Sequence, residues 1–172
     1  MITERFREEV EKGLGAVVIL AGSGSDEPHI EKLVNSLKKY DIPFEVRVAS
    51  AHKQSDLLLE ILNQYDGLKG PLAYIAVAGG TDALSGLASY VSTRPVITCP
   101  PDHPNESGLR NPPGSSNVYV ARPENAARFV AQMFSHLNPD YRIILNTELF
   151  DKDKKLREDD VRLQNKFADS QK

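Results

Sequence analysis

Apolar and polar positions along the chain keep two different rhythms. Three short runs are apolar almost without interruption: Ala16 to Leu20, Leu72 to Val77 and Pro95 to Cys99. Such runs predict strands covered on both faces, as in a parallel sheet. Phe44, Val46 and Val48 alternate with Glu45 and Arg47, which predicts a strand with one face less buried, and Val118 to Val120 is a short fifth run. Between these runs the spacing becomes helical. Ile30, Leu33, Val34 and Leu37 follow Pro28; Leu58, Ile61, Leu62 and Tyr65 lie between Ser55 and Gly67. Ala83 to Val91 is a helix of small residues, suited to close packing or an interface, and Ala126, Ala127, Val130, Ala131 and Phe134 share one face after Pro123.

The two ends are less regular. Phe6 and Val10 stand four apart among charges, which allows either a short helix over Thr3 to Lys12 or a solvated tail. Beyond Asn138-Pro139 the pattern predicts two helical segments, Tyr141 to Leu149 and Lys154 to Phe167. The second is too polar for the core of a lone chain, so it packs on a neighbouring subunit or projects into solvent.

Strands alternating with helices predict an α/β fold, a doubly wound parallel sheet with helices on both faces. The expected organisation is a single domain: an N-terminal segment 1–15, a core 16–137 and a helical tail 138–172. Ligands in such folds sit beyond the carboxyl ends of the strands. Those ends read G-S-G-S-D, S-A-H-K, A-G-G-T-D, C-P-P-D-H and R-P-E-N, and they hold most of the clustered small, polar and titratable residues.

Composition narrows the chemistry. The chain has 172 residues and a formal charge of −3, without the basic excess of a nucleic-acid binder. Cys99 is the only cysteine, which rules out an internal disulfide and suits a reducing compartment. Its N-terminus lacks a signal-peptide core and no run approaches the ~20 apolar residues of a membrane span, so the expectation is a soluble cytoplasmic protein. His29, His52, His103 and His136 have no metal-ligand spacing among them, so no metal site is expected.

The first turn, Gly22 to Asp26, is neither a Walker loop nor a dinucleotide fingerprint, since Glu27 occupies the position of a third glycine. Ser23, Ser25 and the turn N–H groups suit a phosphate, with Asp26 turned to a ribose hydroxyl because phosphate would repel it. Ser25 or Asp26 equally suits a plain helix cap. His52 follows a strand end among small residues and suits proton transfer near neutral pH, with Lys53 as a cation for an anionic substrate; an ordinary surface loop is the alternative. His29 is read as lying on the exposed side of its helix, and His136 at a helix end. Gly79-Gly80 permits close approach to a flat ligand or serves only as a tight turn. The loop Pro100 to Ser116, with five prolines, is long enough to be read as part of the site. A receiver domain would need an Asp where Gly79 stands, and a flavin site would need aromatic residues that the loops lack.

Taken together and in order, Gly22-Ser23-Gly24-Ser25-Asp26, Arg47 to Lys53, Ala78 to Gly86 and Cys99-Pro100-Pro101 resemble the phosphoribosylaminoimidazole carboxylase family of purine synthesis. The resemblance runs from about Val17 to Phe134. It implies a three-layer, flavodoxin-like sheet with a C-terminal helical extension, and homo-oligomers, commonly octamers. It also implies that Ser23, Ser25, Ser50 and Lys53 bind the ribose phosphate region and Asp26 a ribose hydroxyl. Gly79 and Gly80 would border the imidazole, and Ala51, Ala78, Ala83 and Leu84 complete the substrate-binding set. His52 would move the proton, with aminoimidazole ribonucleotide and carbon dioxide as substrates and no cofactor.

Lys53 and the run Ala83-Leu84-Ser85-Gly86 match the branch that uses carbon dioxide directly. The bacterial mutase branch, acting on the N-carboxylated ribonucleotide, reads S-A-H-R and H-L-P-G at these places. Gly80, Thr81 and Asp82 match neither branch in full, and the loop Ser107 to Gly114 also departs from the family pattern. A mutase on the same scaffold and a non-catalytic nucleotide-binding paralogue are therefore the alternatives.

Overall fold

The computed structural model describes residues 1–102 and 104–168. Five parallel strands, β1 (Ala16–Ala21), β2 (Phe44–Val48), β3 (Leu72–Val77), β4 (Val96–Thr98) and β5 (Val118–Tyr119), form one sheet in the order β2-β1-β3-β4-β5. This is the flavodoxin-like order, with its switch point between β1 and β3. Six α-helices, α1 (Glu4–Glu11), α2 (Glu27–Lys39), α3 (Ser55–Asp66), α4 (Ala83–Val91), α5 (Pro123–Phe134) and α6 (Pro139–Ala168), cover it.

Strand periodicity divides the core into two layers. Val18 and Leu20 of β1 and Tyr74 and Ala76 of β3 point to one face, where Phe6, Val10, Leu58, Leu62, Leu84 and Ala88 of α1, α3 and α4 pack. Val17, Ile19, Ala73 and Ile75 point to the other, against Leu33, Leu37, Val130 and Phe134 of α2 and α5 and Tyr141 and Leu145 of α6. Both central strands are buried along their whole length, which is why they read as unbroken apolar runs.

Of the two readings at the N-terminus, the helix is the one adopted. Thr3 accepts from the Phe6 N–H, and Phe6 and Val10 are buried. Gly70 admits this packing, since a Cβ there would lie 2.2 Å from the Val10 carbonyl oxygen. On edge strand β2 the apolar side chains Val46 and Val48 are the exposed ones, at 37% and 48%. Glu45 and Arg47 turn inward instead. Tyr65 donates its hydroxyl proton to Glu45 and accepts from Arg47 Nη1 at 3.2 Å, so the polar pair satisfies a buried phenol.

The tail is one 30-residue helix rather than two segments. Phe150-Asp151-Lys152-Asp153 contains neither Gly nor Pro, so the weak apolar pattern there does not stop the helix. Only its first turns are held by the body: Tyr141 and Leu145 are buried, and Glu148 accepts from Arg128 at 2.5 Å and from the Tyr40 hydroxyl at 2.8 Å. No helix among the described residues is long and apolar enough to cross a membrane.

Register sets the level of the strand ends. Ala21 pairs with Val48 on one side and Val77 on the other, so the segments after β1, β2 and β3 emerge together. Gly22 N–H donates to the Val77 carbonyl and Ala49 N–H to that of Ala21, both at 2.9 Å, which carries the alignment one residue beyond the sheet.

Candidate active site

At the first strand end a single turn of 3-10 helix, Gly24–Asp26, leads from β1 into α2. The Ser23 hydroxyl accepts from the Ser25 N–H at 3.2 Å and lies 2.8 Å from the Ser25 hydroxyl. Asp26 occupies the N-cap position of α2 but makes no side-chain capping bond. Its carboxylate is therefore left for the cavity. Burial raises its pKa, the nearby His29 lowers it, and the charge of Asp102 raises it again.

The segment after β2 is a tight turn closed on Ser50, whose carbonyl accepts from Lys53 N–H at 3.3 Å and Gln54 N–H at 2.8 Å. That closure leaves His52 and Lys53 with exposed side chains on the turn. After β3, Ala78 and Gly79 continue at the strand end and α4 begins at Ala83.

A cavity of about 310 Å³ lies among these three segments. Ser23, Ser25 and Asp26 form its first wall; Ser50, Ala51, His52 and Lys53 its second; Ala78, Gly79, Ala83 and Leu84 its third. Gly22 and Thr81 also line it, two positions the strand-end motifs contain but sequence reasoning did not single out. Two larger depressions, of about 630 and 600 Å³, lie elsewhere, one beside α1 and the other along the edge between α2 and β2. Neither contains His52 or the glycine turn after β3.

Gly80 does not line the cavity. Its backbone is left-handed, with φ at 64°, and its N–H donates to Asp102 Oδ2 at 2.8 Å. The carbonyl of Gly80 lies 3.0 Å from the Ser107 hydroxyl, which draws the turn toward the long loop. Asp82 is similarly engaged. Buried, it caps α4 by accepting from Ser85 N–H at 2.9 Å and from the Ser85 hydroxyl at 2.5 Å, while its own N–H donates to Ser107 Oγ at 2.8 Å. The departures from the family pattern at Gly80 and Asp82 thus carry contacts to the loop.

The loop is held by a polar network. Asp102 Oδ1 accepts from Asn105 Nδ2 at 2.8 Å, and Asn105 Oδ1 accepts from Ser107 N–H at 3.1 Å. Farther along, Asn117 donates to Thr98 Oγ1 and to the Gly108 carbonyl, each at 2.8 Å, and accepts from Asn111 at 2.7 Å. Asp102 is a functional candidate that reading the loop as a whole did not isolate. Its signal is slight: an Asp directly after the Pro100-Pro101 pair that follows β4.

His29 corrects its expected placement. Rather than facing solvent it is half-buried, with Nε2 3.1 Å from the Cys99 carbonyl oxygen and 3.5 Å from Cys99 Sγ. The reason is tertiary: α2 packs over the end of β4, so the side of its first turn that looks polar in sequence meets a backbone acceptor. Burial pushes the Cys99 thiol up to about 12, assisted by the charge of Glu124, so it stays protonated and unreactive. His103 lies outside the described residues. Among the described residues no group of three or more His, Cys, Asp or Glu could hold a metal.

A family model described as AIR carboxylase matches residues 16–155. The chain belongs to the AIR carboxylase family. A Treponema denticola phosphoribosylaminoimidazole carboxylase is 35% identical over 153 residues, covering 86% of this chain and 96% of that one. The crystal structure of Treponema denticola PurE superimposes with a TM-score of 0.81 at 34% identity, over 87% of this chain and 98% of the other. A Methanocaldococcus jannaschii N5-carboxyaminoimidazole ribonucleotide mutase is 32% identical over 157 residues, 83% of this chain and 98% of its own. AIR carboxylase relatives thus include both reaction types, and the chain is an enzyme-family member of the purine synthesis step they share.

Proposed function

We propose that this protein carboxylates aminoimidazole ribonucleotide with carbon dioxide, giving carboxyaminoimidazole ribonucleotide. The observation that carries the reading is the single cavity in which the serine turn after β1, the His52-Lys53 turn after β2 and the Gly79 turn after β3 meet. In this reading Ser23, Ser25, Ser50 and Lys53 hold the ribose phosphate, Asp26 accepts from a ribose hydroxyl, and Ala78, Gly79, Ala83 and Leu84 flank the imidazole. Gly80 acts indirectly, by tying that wall to Asp102.

The aminoimidazole is enamine-like, so its ring carbon is the nucleophile. The π pair of that carbon forms the new C–C bond, one C–O π pair of carbon dioxide moves onto oxygen, and a carboxylate results. The ring carbon then bears a hydrogen that must leave to restore aromaticity. His52 accepts this proton. No reducing equivalent or activated phosphate is consumed, so the protein's contribution is orientation, exclusion of water and one proton transfer, the last worth about 10²–10⁴-fold.

Lys53 and the Ala83 to Gly86 run support the carbon-dioxide branch. The near full-length likeness to the Methanocaldococcus enzyme supports a second reading, in which a carboxyl group moves from the exocyclic amine to the ring carbon at the same site. One experiment separates them. Purified protein is incubated with aminoimidazole ribonucleotide and bicarbonate, and separately with the N-carboxylated isomer, and the C-carboxylated product is quantified. Product from the first alone is expected. Direct conversion of the isomer would establish the mutase, and ribonucleotide binding without product from either would establish a non-catalytic binding protein.

A further inference from the structure

Asp26 sits in an electrostatic setting that the three walls of the cavity do not explain. It contributes no helix cap, it is partly desolvated, and across from it the long loop brings in a second carboxylate, Asp102. Asp102 is itself pinned, by Gly80 N–H on one oxygen and Asn105 on the other, both at 2.8 Å. Burial first, and the charge of Asp102 to a lesser extent, favour the protonated form of Asp26, which is a poorer acceptor.

The group that opposes this is His29. It lies three residues after Asp26 in the first turn of α2, so both side chains share one side of the helix. Its Nε2 lies 3.1 Å from the Cys99 carbonyl oxygen. A carbonyl only accepts, so Nε2 carries the hydrogen, and the ring is held by the backbone just beyond β4. Among the described residues Glu124, at the start of α5, also acts on this neighbourhood through its charge on Cys99.

We infer that His29 is a positioning residue. The Cys99 carbonyl fixes its ring, and the ring, in the first turn of α2 beside the uncapping Asp26, holds that carboxylate toward the cavity. This rests on the reading of Asp26 as the acceptor of a ribose hydroxyl. His29 touches no substrate; it acts through Asp26, and it links the first turn to the end of β4 so that the wall and the loop share one register.

The test uses His29→Gln and His29→Ala in the full-length protein. Gln keeps an N–H for the Cys99 carbonyl but carries no charge, while Ala loses both. The Asp26 carboxyl resonance, followed by carbon-13 NMR across pH, is expected to titrate at higher pH in both variants than in the parent. An unmoved midpoint would overturn the inference, and a merely structural histidine would lower thermal stability without moving it. In calorimetry with aminoimidazole ribonucleotide, His29→Ala should weaken binding about tenfold, the scale of one misplaced hydrogen bond to a charged acceptor. In an Asp26→Asn background the same change should add less than about twofold, because the effect runs through one group. Full multiplication of the two effects would equally overturn it. If the parent binds no ribonucleotide, the reading of the cavity fails, and the ligand-free NMR titration still decides the role of His29.

Discussion

His52 stands on a turn whose backbone is closed by the Ser50 carbonyl, so the side chain is presented without being needed by the fold. His52→Asn should therefore reduce turnover about 10²–10⁴-fold while ribonucleotide affinity and melting temperature stay near those of the parent; single-turnover kinetics with parallel calorimetry check it. Unchanged turnover would remove the proton-transfer role. Asp26 is the opposite kind of residue. Its carboxylate is desolvated, uncapping and opposed by Asp102, so ionising it works against the folded state. The sign follows: with the folded pKa raised above 3.8, its contribution is full below that value and is lost as pH rises through the folded pKa. Asp26→Asn should raise the melting temperature at neutral pH while weakening ribonucleotide binding, a trade of stability against function. A variant both less stable and unchanged in binding would contradict this.

Among the elements, α4 and the long loop behave as one unit. A Cβ on Gly86 would meet Asn111 Oδ1 at 2.5 Å, and Asn111 is tied to Asn117, so the loop cannot simply step aside. Gly86→Ala should cost about 1–3 kcal/mol in urea denaturation and speed amide exchange over residues 105–117. The elements themselves were legible because β1 and β3 are buried on both faces and α2, α3 and α5 on one, and those conditions write their periods into the sequence. Strand ends were legible for the same reason: once β1, β2 and β3 are placed, Ser23, His52 and Gly79 must emerge side by side. What was not legible depends on partners far along the chain. Gly80 turns away because Asp102, 22 residues on, accepts its N–H. His29 faces inward only because α2 crosses the end of β4. The continuity of α6 is set by the absence of a breaker, a weaker signal than the apolar gap that suggested two helices.

For the whole molecule, the buried phenols set the alkaline limit. Burial pushes Tyr40, Tyr65 and Tyr141 up to about 12, and Tyr74 beyond that, with Glu148, Glu45 and Asp66 adding to the shift of Tyr40, Tyr65 and Tyr74 respectively. The folded state keeps protons that the unfolded chain releases near 10.0, so the stabilisation is full below that pH and disappears as pH rises toward 12. The urea midpoint should fall steeply between about pH 10 and 12, in step with phenolate absorbance. A midpoint that stays flat over that range would refute it. Assembly is the second property at this scale. Tyr90 and Leu109 near the loop, Val46 and Val48 on the edge strand and the outer part of α6 leave large apolar side chains uncovered on one copy. Light scattering should accordingly give a multiple of 19.0 kDa, and a monomer mass would exclude the homo-oligomer.

Helix α6 carries that last point into spectroscopy. Beyond Glu148 the described residues give it short-range support such as the 2.7 Å Arg157–Asp153 pair, exposed and worth about 0.3–0.5 kcal/mol. A segment of this composition is marginal as an isolated helix. With Phe150, Leu156 and Phe167 uncovered on a single copy, its helical content becomes a gauge of whether copies are in contact. Ellipticity at the helical minimum should then decline on dilution, before any change in the near-ultraviolet signal of the buried tyrosines.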